Sequence, residues 1–141
     1  MKHLPHPKGV NLPNIILAAE LIEKIQQRRF SMICFREGQE KKPKCNSVGC
    51  IVGHSTVLAP ELLQFEWNDD INFVAFSEDF FGLEVGSNDW MYLFAASWRH
   101  TDNTPKGSAK RLRYYAVNGL PKNWVDQMFR KSPLIYNTTK S

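Results

Sequence analysis

Apolar residues recur three and four positions apart in short blocks, and the blocks are bracketed by cap residues, prolines and glycines. That pattern restricts the chain to short amphipathic helices joined by tight turns. The block beginning at Thr104 shows it best. Thr104 followed by Pro105 is a cap with a first-turn proline. Ala109, Leu112, Tyr115 and Ala116 then form one face, and Gly119 stands where a helix ends.

The same logic applied along the chain predicts about six short helices. Residues 1–12 hold two prolines, two histidines and a glycine, and are expected to form an irregular arm. Asn11 or Leu12 precedes Pro13, and Ile15, Ala18, Ala19, Ile22 and Ile25 give a helix over about 13–28. Phe30 to Phe35 is too short and too apolar on both faces to settle as a strand, and 36–44 is a charged loop. Asn46 or Ser47 caps a helix over about 48–59, apolar nearly all round and therefore buried, which Pro60 ends. Ile71, Val74, Ala75 and Phe76 share a helical face, Phe80, Phe81 and Leu83 extend it, and Gly82 offers a stop. Ser87 caps a helix carrying Trp90, Leu93, Phe94 and Trp98. Pro121 opens a last helix with Trp124, Val125, Met128 and Phe129.

The expected fold is therefore mainly α: a compact single-domain bundle of about six short helices, with room for one short strand pair. The helical domain spans 13–131 and a flexible tail spans 132–141. A chain of 141 residues, 43% hydrophobic and 12% aromatic, can bury a core without disulfides or metals. The opening MKHLPHPKGVNLP lacks the apolar stretch of a secretory signal, and no run nears the roughly 18 apolar residues needed to span a bilayer. The three cysteines, Cys34, Cys45 and Cys50, do not form a disulfide framework. A cytoplasmic chain with reduced thiols is expected.

Cys45-Asn-Ser-Val-Gly-Cys50-Ile-Val-Gly-His54 is the most unusual stretch, and three readings of it compete. In the first, Cys45, Cys50 and His54 bind a metal, and Cys34 or His100 completes the tetrahedral set that zinc prefers. In the second, Cys50 is a thiol nucleophile in the first turn of a helix, with His54 or His100 as its base. In the third, the thiol and imidazole are core residues, and Gly49 and Gly53 let a neighbouring helix approach.

Two other segments bear on function. Trp90, Leu93, Phe94 and Trp98 form a core stripe, or with Trp98 and Arg99 exposed they form a partner-binding surface. Lys106, Lys110, Arg111 and Arg113, interleaved with Tyr114 and Tyr115, suit single-stranded nucleic acid, or simply a solvated face. The net charge of +4 permits an acidic partner without demanding one. No phosphate-binding glycine loop, dinucleotide fingerprint, H-E-x-x-H or G-x-S-x-G is present.

The string Cys-x4-Cys-Ile-x-Gly-[His/Trp], here Cys45 to His54, resembles a motif in small uncharacterised helical proteins of phages, prophages and bacteria. Those proteins carry a later "LF…W" segment, matched by Leu93-Phe94 and Trp98. They also carry a helix matched by Thr104-Pro105 through Ala109, Arg111, Leu112 and Tyr114, and Gly119-Leu-Pro121 and Trp124 fit as well. The resemblance covers roughly residues 30–125. It implies a compact helical protein, often of phage origin, and transfers no catalytic residue.

The expected function is a non-enzymatic binding or regulatory module, an accessory protein of a phage or prophage that acts on a host protein. It needs no cofactor. The alternatives are an enzyme centred on Cys50 and His54, dependent on the thiol or on zinc, and a nucleic-acid binder using the basic helix over 106–113. The partner is a host or phage protein, with nucleic acid as the alternative and no membrane.

Overall fold

A computed structural model describes residues 2–25, 50–62, 70–95, 98 and 103–129. Among these the chain is mostly helical, with one short antiparallel strand pair. Strand β1 (His3–Leu4) is followed by α1 (Leu12–Ile22), α2 (Ile51–Ser55), two 3-10 turns (Thr56–Leu58 and Pro60–Leu62) and α3 (Asp70–Phe81). Then come α4 (Asn88–Phe94), α5 (Pro105–Asn118), β2 (Leu120–Pro121) and α6 (Trp124–Met128). No helix among the described residues is long and apolar enough to cross a membrane.

Local chemistry sets three of the helix starts. The Asn11 side chain accepts from the Asn14 amide at 3.0 Å, with Pro13 in the first turn of α1. Ser87 Oγ accepts from the Trp90 amide at 3.2 Å and starts α4. Thr104 Oγ1 accepts from the Gly107 amide at 2.9 Å and starts α5. Each side chain satisfies one of the amides that the first helical turn leaves without a partner.

Helix α1 lies mainly against α5 and lesser contacts tie α2 to α1 and α3. Ile15, Ala18, Ala19 and Ile22 of α1 are buried, as their spacing predicts, and join one core with Ile51, Val52, Leu93, Leu112 and Tyr115. On α3 the buried face is Phe73, Phe76, Ser77, Phe80 and Phe81, whereas Ala75 is exposed and Val74 half-buried. The aromatic rings, not the aliphatic residues, define the inner face. Phe76 stacks on Phe80 at 5.2 Å, and Phe81 packs against Phe94 of α4 at 4.8 Å.

Five expectations need correction. First, the arm is not wholly irregular: His3 pairs with Pro121 and Leu4 with Leu120. Second, Pro121 therefore belongs to β2, and α6 starts at Trp124. Third, α4 stops at Phe94 because Ala95 turns extended (φ −68°, ψ 145°), so Trp98 lies beyond the helix. Fourth, the buried helix is shorter than expected. Cys50 is its extended N-cap (φ −90°, ψ −174°) rather than a first-turn residue, and the segment tightens to a 3-10 turn at Thr56. The Ser55 and Thr56 hydroxyls donate to the Ile51 and Gly53 carbonyls at 2.6 and 2.7 Å, bonds that compete with a regular helix. Fifth, α1 ends at Ile22 with Glu23 as its C-cap and residues 23–25 form a turn, short of the expected end near 28. The expected caps Asn46 and Ser47 and the tail from 132 lie outside the described residues.

Two glycines make this arrangement feasible. Gly119 adopts φ 85°, ψ −167°, a region essentially closed to other residues, and sends the chain from α5 straight into β2. A Cβ there would strike the Leu4 carbonyl. Gly82 (φ 69°) ends α3, and a Cβ there would strike the Gly9 carbonyl.

Candidate functional site

The Cys50 segment packs into the core. Cys50 is 5% exposed, Ile51, Val52 and Gly53 are buried, and His54 is half-buried. The His54 amide donates to the Cys50 carbonyl at 2.9 Å. Among the described residues no group of three His, Cys, Asp or Glu stands close enough to hold a metal ion. Cys34, Cys45 and His100, the other candidates for a metal or catalytic set, lie outside the described residues, as does Arg99.

The basic helix does not present its four cations together. Lys106 and Lys110 are exposed, but Arg111 is fully buried. Its Nη2 donates to the Leu93 carbonyl at 3.1 Å and to Asn103 Oδ1 at 3.2 Å, and its guanidinium lies 4.7 Å from the centre of the Trp98 ring. Trp98 is itself buried, its Nε1 donating to the Tyr92 carbonyl at 2.9 Å. The expected contact surface at Arg111 and Trp98 is therefore interior, because Trp98 and Asn103 pack against the Arg111 guanidinium. Arg113 makes a two-pronged pair with Glu23 of the α1 turn, at 2.6 and 2.7 Å. That guanidinium holds the Glu23 carboxyl below its usual range.

A different surface gathers polar groups. An open cleft of about 490 Å³ lies where β1, β2, α5 and α6 meet, a volume in the range of ligand sites. Its described lining is Lys2, His3, Tyr114, Pro121, Lys122, Asn123 and Gln127. The backbone builds it: the strand pair carries Lys2 and His3 to the end of α5, and the turn after β2 supplies Lys122 and Asn123. His3 Nε2 and the Tyr114 hydroxyl share a hydrogen bond of 2.6 Å. Burial, and then the charge of Lys2, pull the His3 imidazole below its ordinary value, while burial pushes the Tyr114 phenol up. Gln127 Nε2 donates to Asn123 Oδ1 at 3.0 Å.

The second histidine of the arm clamps the strand rather than lining the cleft. His6 Nε2 is 2.7 Å from the Tyr115 carbonyl, and the two rings meet edge-on at 5.0 Å. The Tyr115 hydroxyl in turn donates to Asp89 Oδ2 at 2.6 Å, which ties α4 to α5.

Of the cleft residues, sequence reasoning singled out Tyr114, among the basic residues of α5, and Pro121, as a helix opener, but not Lys2, His3, Lys122, Asn123 or Gln127. The available signal was the pair of histidines beside Lys2 in the arm, together with Tyr114 on the outer side of α5. Neither identifies a site until the strand pair is known. Comparison with family models, curated proteins and solved structures found no match.

Proposed function

We propose that this chain is a non-enzymatic binding or regulatory module that docks a protein partner in the cleft between its N-terminal strand and α6. The observation that carries this reading is the His3–Tyr114 pair at the cleft wall, 2.6 Å apart. The imidazole is shifted down and the phenol up, so both groups are neutral at pH 7 and present hydrogen-bonding atoms to a ligand. Lys2, Lys122, Asn123 and Gln127 around them orient and attract a ligand.

The alternatives gain less support. A thiol nucleophile must meet its substrate, and Cys50 is buried in the core. A nucleic-acid surface needs several unpaired cations along one track. On α5, Arg111 is interior and Arg113 is engaged by Glu23, which leaves Lys106 and Lys110. The resemblance of the Cys45–His54 string to phage and prophage proteins favours an accessory protein of that origin, working in the cytoplasm on a host protein.

A photo-crosslinking amino acid placed at Gln127 in cells, with a control at Val57 outside the cleft, tests the proposal. A discrete protein adduct from Gln127 and none from Val57 is expected. Adducts to nucleic acid alone, or equal adducts from both positions, would defeat it.

A further inference from the structure

Lys2 and Lys122 stand opposite one another across the strand pair. The register pairs His3 with Pro121, and the ladder continues outward through the Lys122 amide, which donates to the Lys2 carbonyl at 3.0 Å. Residues facing each other on neighbouring strands have adjacent side chains, and like charges placed there destabilise the pair. Both lysines line the cleft, and its described lining contains no Asp or Glu to offset them. Two lysines paired across neighbouring strands at the rim of one cleft favour an incoming anion.

The geometry points to a carboxylate-rich segment of a protein partner as the ligand of this cleft, its acidic side chains held between Lys2 and Lys122. This rests on the binding-module reading. Asn123, Gln127 and the His3–Tyr114 pair supply directional hydrogen bonds around the two charges. The volume of about 490 Å³ exceeds what a single small ion fills and suits several side chains. A peptide is favoured over a polyphosphate backbone for two reasons. The nearest further arginine on α5, Arg113, is already engaged by Glu23. In addition, Val125 of α6 and Phe129, its C-cap, are exposed, apolar surface suited to a protein partner.

Calorimetric titration of the full chain tests this with four probes: a short Glu/Asp-rich peptide, its Gln/Asn counterpart, inorganic phosphate and a single-stranded oligothymidylate. The acidic peptide should bind at least about tenfold more tightly than the amide peptide, and raising salt from about 50 to about 300 mM should weaken it. Lys2→Gln and Lys122→Gln should each lower its affinity about fivefold. Both variants should keep or raise the Tm of the free protein, because each removes a repulsion; a merely structural lysine would lower it. Equal binding of the two peptides, affinity untouched by either substitution, or tighter binding of phosphate or oligothymidylate would overturn the inference. If no peptide binds while the crosslinker at Gln127 still captures a protein, the acidic-ligand inference falls and the binding-module reading stands.

Discussion

The guanidinium of Arg111 lies 4.7 Å from the centre of the Trp98 ring, and both side chains are buried. The contact closes a knot. Asn103 Nδ2 donates to the Trp98 carbonyl at 3.4 Å and Asn103 Oδ1 accepts from Arg111, while the Trp98 indole reaches back to Tyr92 of α4. A cation in the interior is tolerated where an aromatic face and several acceptors replace its water. Trp98 and Asn103 are thereby fastened to α5, the helix that also forms one wall of the cleft.

Arg111→Ala should cost about 3 kcal/mol of stability, since it opens a cavity and strands the acceptors around the guanidinium. Arg111→Lys should recover little, because an ammonium cannot lie flat on the indole and reach two acceptors at once. Urea denaturation measures both. Equal stability of the Lys variant and the parent would contradict the stacked geometry.

Gly119→Ala should cost about 2 kcal/mol or more, from its positive φ and from the collision with the Leu4 carbonyl. The damage should concentrate on the strand pair. Limited proteolysis is expected to remove the arm faster in this variant than in the parent, with the helical signal in circular dichroism largely kept.

The helix caps give a smaller effect of defined size. Thr104→Ala and Ser87→Ala should each cost about 1 kcal/mol, and Thr104→Ser should cost less than Thr104→Ala. Thermal melts of the three variants check the order. A Thr104→Ala variant as stable as the parent would mean that the Gly107 amide finds another acceptor.

His3 gives the fold a dependence on mild acid. Its imidazole is held below the value of 6.5 that it takes in the unfolded chain, so the unfolded chain takes up the proton first as pH falls. The contribution of His3 is whole above pH 6.5 and declines below it, down to the folded value. Stability measured across this interval should fall in the parent. The slope should be shallower in His3→Gln, which keeps a hydrogen-bonding side chain without the titration. Parallel profiles would contradict the placement of His3 beside Tyr114 and Lys2.

Much of the helical architecture was legible because its causes are local. Ser87 and Thr104 cap the helices that follow them, Pro13 and Pro105 sit in first turns, and Ile15, Ala18, Ala19 and Ile22 all point inward. Each of these depends on residues within a turn or two. Failures began where two residues far apart in sequence met. Trp98 shared a helical spacing with Leu93 and Phe94, yet Ala95 ends that helix. Arg111 sat among exposed lysines by type, yet it projects into the core.

The sequence by itself determined where α1, α4 and α5 start and which face of α1 is buried, because short-range sterics and solvation act within a few residues. Only the tertiary structure decided that the arm contains a strand, that Arg111 is interior and that Lys2 and Lys122 stand opposite each other on the strand pair at the rim of a cleft. The strand pair has just two register partners on each side, too short to leave a periodic trace. Its position depends instead on the close approach allowed at Gly119 and on His6 reaching the Tyr115 carbonyl, contacts between opposite ends of the described chain.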